Sequence, residues 1–217
     1  MTPATIEWLL VGKRATVIAA ALLVWFWTQR LIAARGSPGH GGISDWIHDL
    51  TAGWHAWLVQ QPRIADRLLI ASSLFIDLFG LFMIGASLFG QSFAPFLGIL
   101  IVFIMRQVSQ LMCALPPPPG IIWRDPGVPS LLVTYGVGND FFFSGHTAFA
   151  VLGALEMAHL GPVWLAVPAV VIALAEMAAV IVLRAHYTLD VITGILAALV
   201  AWCASHEVAP VLEAWMR

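Results

Sequence analysis

The sequence is poor in charge. Only 10% of its 217 residues are Asp, Glu, Lys or Arg, against roughly 25% in an ordinary soluble protein. That deficit, with 60% hydrophobic residues, excludes a soluble globular domain and places the chain in a bilayer. The net charge of −2 offers no basis for a nucleic-acid partner. Cysteine is scarce as well. Cys113 and Cys203 form no C-x-x-C pair and no metal-ligand spacing, so each reads as a small apolar residue near a helix end. There is no internal repeat. The one low-complexity piece, Pro116 to Pro119, reads as a stiff turn. A cleavable signal peptide is not expected, because the first apolar run follows Lys13-Arg14, is too long and lacks a small-residue cleavage site.

What is abundant is long apolar runs. About 20 apolar residues are needed to cross the hydrocarbon layer. Six segments qualify, near 15–34, 68–89, 92–113, 145–160, 162–183 and 187–205, with the short fourth one starting early, at Phe141-Phe142-Phe143. The expectation is an all-α integral membrane protein of six transmembrane helices, one domain over 1–217. Six crossings put both termini on one side and the loops 35–66, 114–143 and 184–186 on the other. The second side carries Arg30, Arg35, Arg63, Arg67, Arg106, Arg124 and Arg184, against Lys13, Arg14 and Arg217 on the first. Taken alone, the positive-inside rule makes the arginine-rich side cytoplasmic. Arg106, Arg124 and Arg184 are suited to phosphate instead, and without them the bias shrinks to four against three. The segment Ile43 to Leu58 is too polar to span. Its Trp46, Trp54 and Trp57 suggest an interfacial helix between the first and second spans. Its Asp45, His48, Asp49 and His55 match no recognised ligand spacing, so no metal and no cofactor are expected.

Two short motifs gather the polar chemistry: Ser144-Gly145-His146-Thr147 and His186-Tyr187-Thr188-Leu189-Asp190. If helical from His186 onward, His186 and Asp190 share a face. A carboxylate holding one ring nitrogen exposes the other as a nucleophile. His146 can supply acid and base catalysis. The amides of Gly145, His146 and Thr147 at a helix start suit phosphate oxygens, and Gly145 permits close backbone approach. His159 and His206, on the opposite side, read as ordinary helix-end histidines.

These motifs, in order, resemble the sphingomyelin synthase family, a branch of the type 2 phosphatidic acid phosphatase superfamily. The resemblance rests on Leu115-Pro116-Pro117-Pro118-Pro119-Gly120, Asp140 four residues before Ser144, Ser144-Gly145-His146-Thr147, and His186-Tyr187-Thr188-Leu189-Asp190-Val191, and covers about 66–205. It implies a phosphotransferase moving a phospho-headgroup from a glycerophospholipid donor to a ceramide-like alcohol, with release of diacylglycerol. His186 would form a phosphohistidine, Asp190 would orient it, and His146 would protonate the leaving alcohol and later deprotonate the acceptor. It also implies an outward-facing site; compactness suggests a bacterial inner membrane and a periplasmic face. The chain lacks the early lysine–arginine block and the Ser-Arg pair of the hydrolase members. Arg106 and Arg184 are the candidates for clamping phosphate.

Asp77, Glu156 and Glu176 lie within apolar segments, about 15, 18 and 10–12 Å below the histidine side. Buried ionisable groups in a span are functional candidates by default. Glu176 and Asp77 are candidates for tuning the site or holding a cationic headgroup, whereas Glu156 reads as part of an internal ion pair. Asp140 and Tyr187, beside the motifs, join Ser144 and Gly145 as substrate-binding candidates, and Tyr135, Trp123 and Phe141 to Phe143 can box a quaternary ammonium. Two rival functions follow: a phosphatase or phospholipase C using water as acceptor, and a non-catalytic scaffold or scramblase.

Overall fold

The computed structural model describes residues 3–33, 43–135 and 141–216, with side chains in the first helix from Trp8 onward. The described residues form helices and loops: α1 (Pro3–Ala33), α2 (Trp46–Leu50), α3 (Ala52–Gln60), α4 (Pro62–Phe89), α5 (Ala94–Met112), α6 (Gly145–Leu160), α7 (Val163–Val182) and α8 (Thr188–Met216). Among the described residues, five segments are long and apolar enough to cross a membrane: Trp8–Leu31, Pro62–Phe89, Ala94–Met112, Val163–Val182 and Thr188–Met216. The protein is an integral membrane protein.

Two expectations need correction. The fourth run does not begin at Phe141, because Ser144 caps a helix that starts at Gly145; its Oγ accepts from the Thr147 amide at 3.2 Å. The resulting 16-residue α6 is about 24 Å long, short of a hydrocarbon layer of about 30 Å. Of the six expected spans, five are therefore long and apolar enough to cross, and α6 is not among them. The expected interfacial helix is also two short helices, broken at Thr51. Asp45 caps α2 by accepting from the Ile47 and His48 amides at 3.0 and 3.3 Å. His48 is buried, while Trp46, Trp54 and Trp57 are exposed.

The short α6 is the hub, packing against α4, α5, α7 and α8. Its buried face is built from Thr147, Ala148, Phe149, Ala150, Leu152, Gly153 and Ala154, and small residues of this kind let helix backbones approach closely. The closest approach lies beside the histidine motifs. A Cβ on Gly194 of α8 would sit 2.7 Å from the carbonyl oxygen of Ser144. Gly194→Ala is therefore expected to push α6 off α8, costing about 1–3 kcal/mol of stability and lowering activity roughly tenfold or more, since a misplacement of about 1 Å is costly to catalysis. Thermal unfolding and a turnover assay in detergent check both effects.

α1 leans on α4 and α5. Trp25 stacks on Phe103 of α5 with centroids 4.5 Å apart and planes 4° apart. At the end remote from the histidine motifs, Arg14 donates to the carbonyls of Ser87 and Gly90 at 3.1 and 2.9 Å, and Lys13 donates to that of Met216 at 2.8 Å. These contacts satisfy the last carbonyls of α4 and α8 with basic side chains.

Candidate active site

The two histidine motifs meet through the backbone. The Ser144 amide donates to the Asp190 carbonyl at 3.1 Å. His186 lies in the tight α7–α8 turn, where Arg184 adopts a left-handed φ of 57°. It precedes α8, which begins at Thr188, so His186 and Asp190 are not stacked on one helical face. Asp190 instead occupies the first turn of α8 and reaches back, its Oδ2 accepting from the Tyr187 amide at 2.9 Å, as the acid of a capping box does. The same Oδ2 lies 3.6 Å from Nδ1 of His186.

The shorter contact of that nitrogen is with backbone. Nδ1 of His186 lies 2.8 Å from the carbonyl oxygen of Phe141. A carbonyl only accepts, so Nδ1 carries the proton and the lone pair resides on Nε2. Asp190, 1% exposed, lies behind the ring.

His146 and His186 line one cleft with Arg106, Gly145, Gln29 and a set of aromatic rings, Trp25, Phe103, Trp123, Phe141 and Phe149. Arg106 donates from Nε to the Phe143 carbonyl at 3.1 Å. A Cβ on Gly145 would lie 3.1 Å from that nitrogen, so glycine here lets the guanidinium lie against the start of α6. Trp123 meets His146 edge-on, with centroids 5.1 Å apart. Nε2 of His146 is buried and has no hydrogen-bond partner among the described residues. Burial, with His186 and Arg106 nearby, pulls the His146 pKa down to about 3. His146 is thus a neutral imidazole.

That shift has a stability consequence. The folded pKa lies below the unfolded value near 6.5, so the unfolded chain binds more protons between the two. Stability is lost as pH falls through about 6.5 toward 3, by about 1.4 kcal/mol per unit at most. Melting curves in detergent at pH 7 and pH 5 are expected to show a smaller acid loss in His146→Gln than in the wild type.

Other candidate residues lie elsewhere. Arg184 donates to the His48 carbonyl at 2.6 Å and does not line the cleft. The Tyr187 hydroxyl accepts from the Ile43 amide at 3.4 Å, and its ring stacks on His48. Asp77 accepts from the Ser130 hydroxyl and from the Leu131 and Leu132 amides, at 2.8 and 2.9 Å for the two amides, which anchors that loop. Glu176 accepts from Ser72. Glu156 pairs with Nε2 of His206 at 3.1 Å. None of Asp77, Glu156 and Glu176 lines the cleft with Arg106. Arg124 pairs with Asp66 at 2.7 Å on the surface. Asp140 lies outside the described residues.

Three of the four Asp and His residues of the segment Ile43 to Leu58, namely Asp45, His48 and His55, brace the site. Nε2 of His48 donates to the His186 carbonyl at 3.0 Å, and Asp45 accepts from the Thr188 hydroxyl at 2.8 Å and from its amide. His55 bonds the Val182 carbonyl through Nδ1 at 2.9 Å. Together α2 and α3 clamp the turn that carries His186. Asp45→Ala removes the cap of α2 and its ties to Thr188. It is expected to cost about 1–3 kcal/mol and to lower turnover more than it changes KM, as steady-state kinetics would show.

An all-helical membrane protein with two histidines, an arginine and a buried carboxylate around one aromatic cleft has the makings of a lipid phosphotransferase. The model of the AtPDCT1/2 family, the phosphatidylcholine:diacylglycerol cholinephosphotransferases, matches residues 44–206. The chain belongs to that family, and is a membrane lipid phosphotransferase. This overturns the sphingomyelin synthase assignment implied by the motifs. Neither the curated proteins nor the solved structures contain a match to the chain.

Proposed function

We propose that the protein moves phosphocholine from phosphatidylcholine to a diacylglycerol through a phosphohistidine at His186. The observation that carries this reading is the hydrogen bond from Nδ1 of His186 to the Phe141 carbonyl at 2.8 Å, which leaves Nε2 as the nucleophile in a cleft shared with His146 and Arg106. The family name supports the choline headgroup and the diacylglycerol acceptor.

In the first half-reaction Nε2 of His186 attacks phosphorus. The bond from phosphorus to the glycerol oxygen breaks, and His146 gives that oxygen a proton. Neutral His146 takes up a proton from the surrounding water as the anionic phosphodiester enters and offsets the charge of Arg106. In the second half His146 accepts the hydroxyl proton of the incoming diacylglycerol, whose oxygen displaces Nε2 from phosphorus. Asp190 stabilises the ring while it carries the phosphoryl group, and Arg106 steadies the equatorial oxygens. The aromatic walls keep water from the phosphoenzyme. Exposed Trp46, Trp54 and Trp57 support placing α2 and α3 at the membrane–water boundary, with the cleft near headgroup depth.

The test uses acyl-labelled acceptor, because exchange between identical lipids is invisible. Purified protein is mixed with unlabelled phosphatidylcholine and deuterated diacylglycerol, and products are read by mass spectrometry. Deuterated phosphatidylcholine is expected. Free phosphocholine instead would make water the acceptor. A phosphosphingolipid formed in preference when ceramide is added would overturn the assigned acceptor.

A further inference from the structure

Residues 1–43 lie outside the family match, yet α1 supplies two walls of the cleft, Trp25 and Gln29. Gln29 is 5% exposed, and neither its Nε2 nor its Oε1 has a hydrogen-bond partner among the described residues. A buried, unpaired carboxamide is costly. A membrane helix could place leucine there at no such cost. The unpaired amide, facing a cleft that holds Arg106 and His146, marks a position completed by something that binds.

The register of α1 and α5 says which part of a substrate that is. Trp25 stacks on Phe103, which fixes one level of the cleft. Gln29 follows Trp25 by four residues, and Arg106 follows Phe103 by three, so each lies one turn further along its own helix on the same face. Both helices run toward the histidine end, since Arg14 of α1 touches the α4–α5 turn at the remote end. Gln29 therefore comes level with Arg106, while the aromatic pair lies one turn deeper.

We propose that Gln29 is a substrate-binding residue whose Nε2 donates to a non-bridging oxygen of the transferring phosphoryl group, opposite the Arg106 guanidinium. The inference rests on the cleft being the phosphoryl-transfer site proposed above. It makes α1 part of the active site, although the family match begins after that helix. Two donors from separate helices then hold the phosphoryl group between them while His186 attacks.

The test compares wild type, Gln29→Leu and Gln29→Glu in the full-length protein in detergent, by labelled-lipid transfer and by thermal stability with and without orthovanadate. Gln29→Leu is expected to lose transfer about 10²-fold, in the range seen when one oxyanion donor is removed. Its melting temperature without vanadate is expected to stay equal or rise, because an unpaired amide is gone. A merely structural glutamine would give the reverse, a lower melting temperature. Gln29→Glu keeps the shape and sets a carboxylate against the phosphoryl oxygens, so a larger loss is expected. Vanadate is expected to stabilise the wild type and not Gln29→Leu. If both are stabilised equally, or if Gln29→Leu transfers like the wild type, the inference is overturned. A wild type that vanadate fails to stabilise overturns it as well. A wild type that transfers no phosphocholine, yet shows a vanadate response that Gln29→Leu abolishes, overturns the transferase reading and supports Gln29 as a phosphoryl ligand.

Discussion

His186→Ala is expected to abolish phosphocholine transfer, by about 10³-fold or more, because removal of a covalent nucleophile leaves only binding and electrostatic assistance. The fold should survive the change. The contacts that anchor position 186 to its surroundings are largely backbone: its carbonyl accepts from His48, and its amide is directed at the Val180 carbonyl 3.3 Å away. Alanine keeps both. What is lost is the ring, with its 2.8 Å bond to the Phe141 carbonyl. A lipid-transfer assay run beside size-exclusion elution and a melting curve separates the two effects. A folded mutant that retains most of its activity would rule out His186 as the nucleophile.

His146→Gln is expected to be nearly as damaging with natural lipid, by about 10²–10⁴-fold, the usual contribution of a general acid–base. Its defect should depend on the leaving group, and that dependence identifies its role. A diacylglycerol alkoxide is a poor leaving group and needs the proton. A nitrophenolate does not. With p-nitrophenylphosphocholine as donor, release of nitrophenol by His146→Gln is expected to fall by about tenfold or less, whereas His186→Ala stays inactive with either donor. Equal losses of His146→Gln on both donors would mean that His146 positions substrate rather than moving a proton.

Much of this site was legible in the chain because its side chains announce themselves. Histidines in S-G-H-T and H-Y-T-x-D sit in short local patterns, and the structure brings both to one cleft with Arg106. The long apolar runs likewise pointed to all five spans, and those at 92–113 and 162–183 agree to within two residues at both ends. The fourth run misled because apolar character alone does not mark where a helix starts. Phe141 and Phe143 are buried in a lead-in, and the cap at Ser144 sets the boundary. The partner of His186 was missed for a deeper reason. A carbonyl such as that of Phe141 carries no side-chain signature, and only tertiary structure brings it to Nδ1. Gln29 was missed because it is more than a hundred residues from either motif and looks like an ordinary polar residue near a helix end. In the sequence Asp45 and His48 read only as polar residues of an interfacial segment. Their work of clamping the His186 turn depends on the docking of α2, which no local pattern encodes. The motif resemblance gave the wrong family, because S-G-H-T and H-Y-T-x-D are short patterns that do not by themselves separate one lipid phosphotransferase family from another.

The central claim is that phosphocholine passes through His186, in two displacements at phosphorus. The most direct measurement is the stereochemical course with a phosphatidylcholine made chiral at phosphorus by sulfur and isotopic oxygen, transferred to diacylglycerol by the purified protein. Two in-line displacements, one by His186 and one by the acceptor, predict overall retention of configuration. Inversion would mean a single direct displacement by the acceptor alcohol and would contradict the phosphohistidine account.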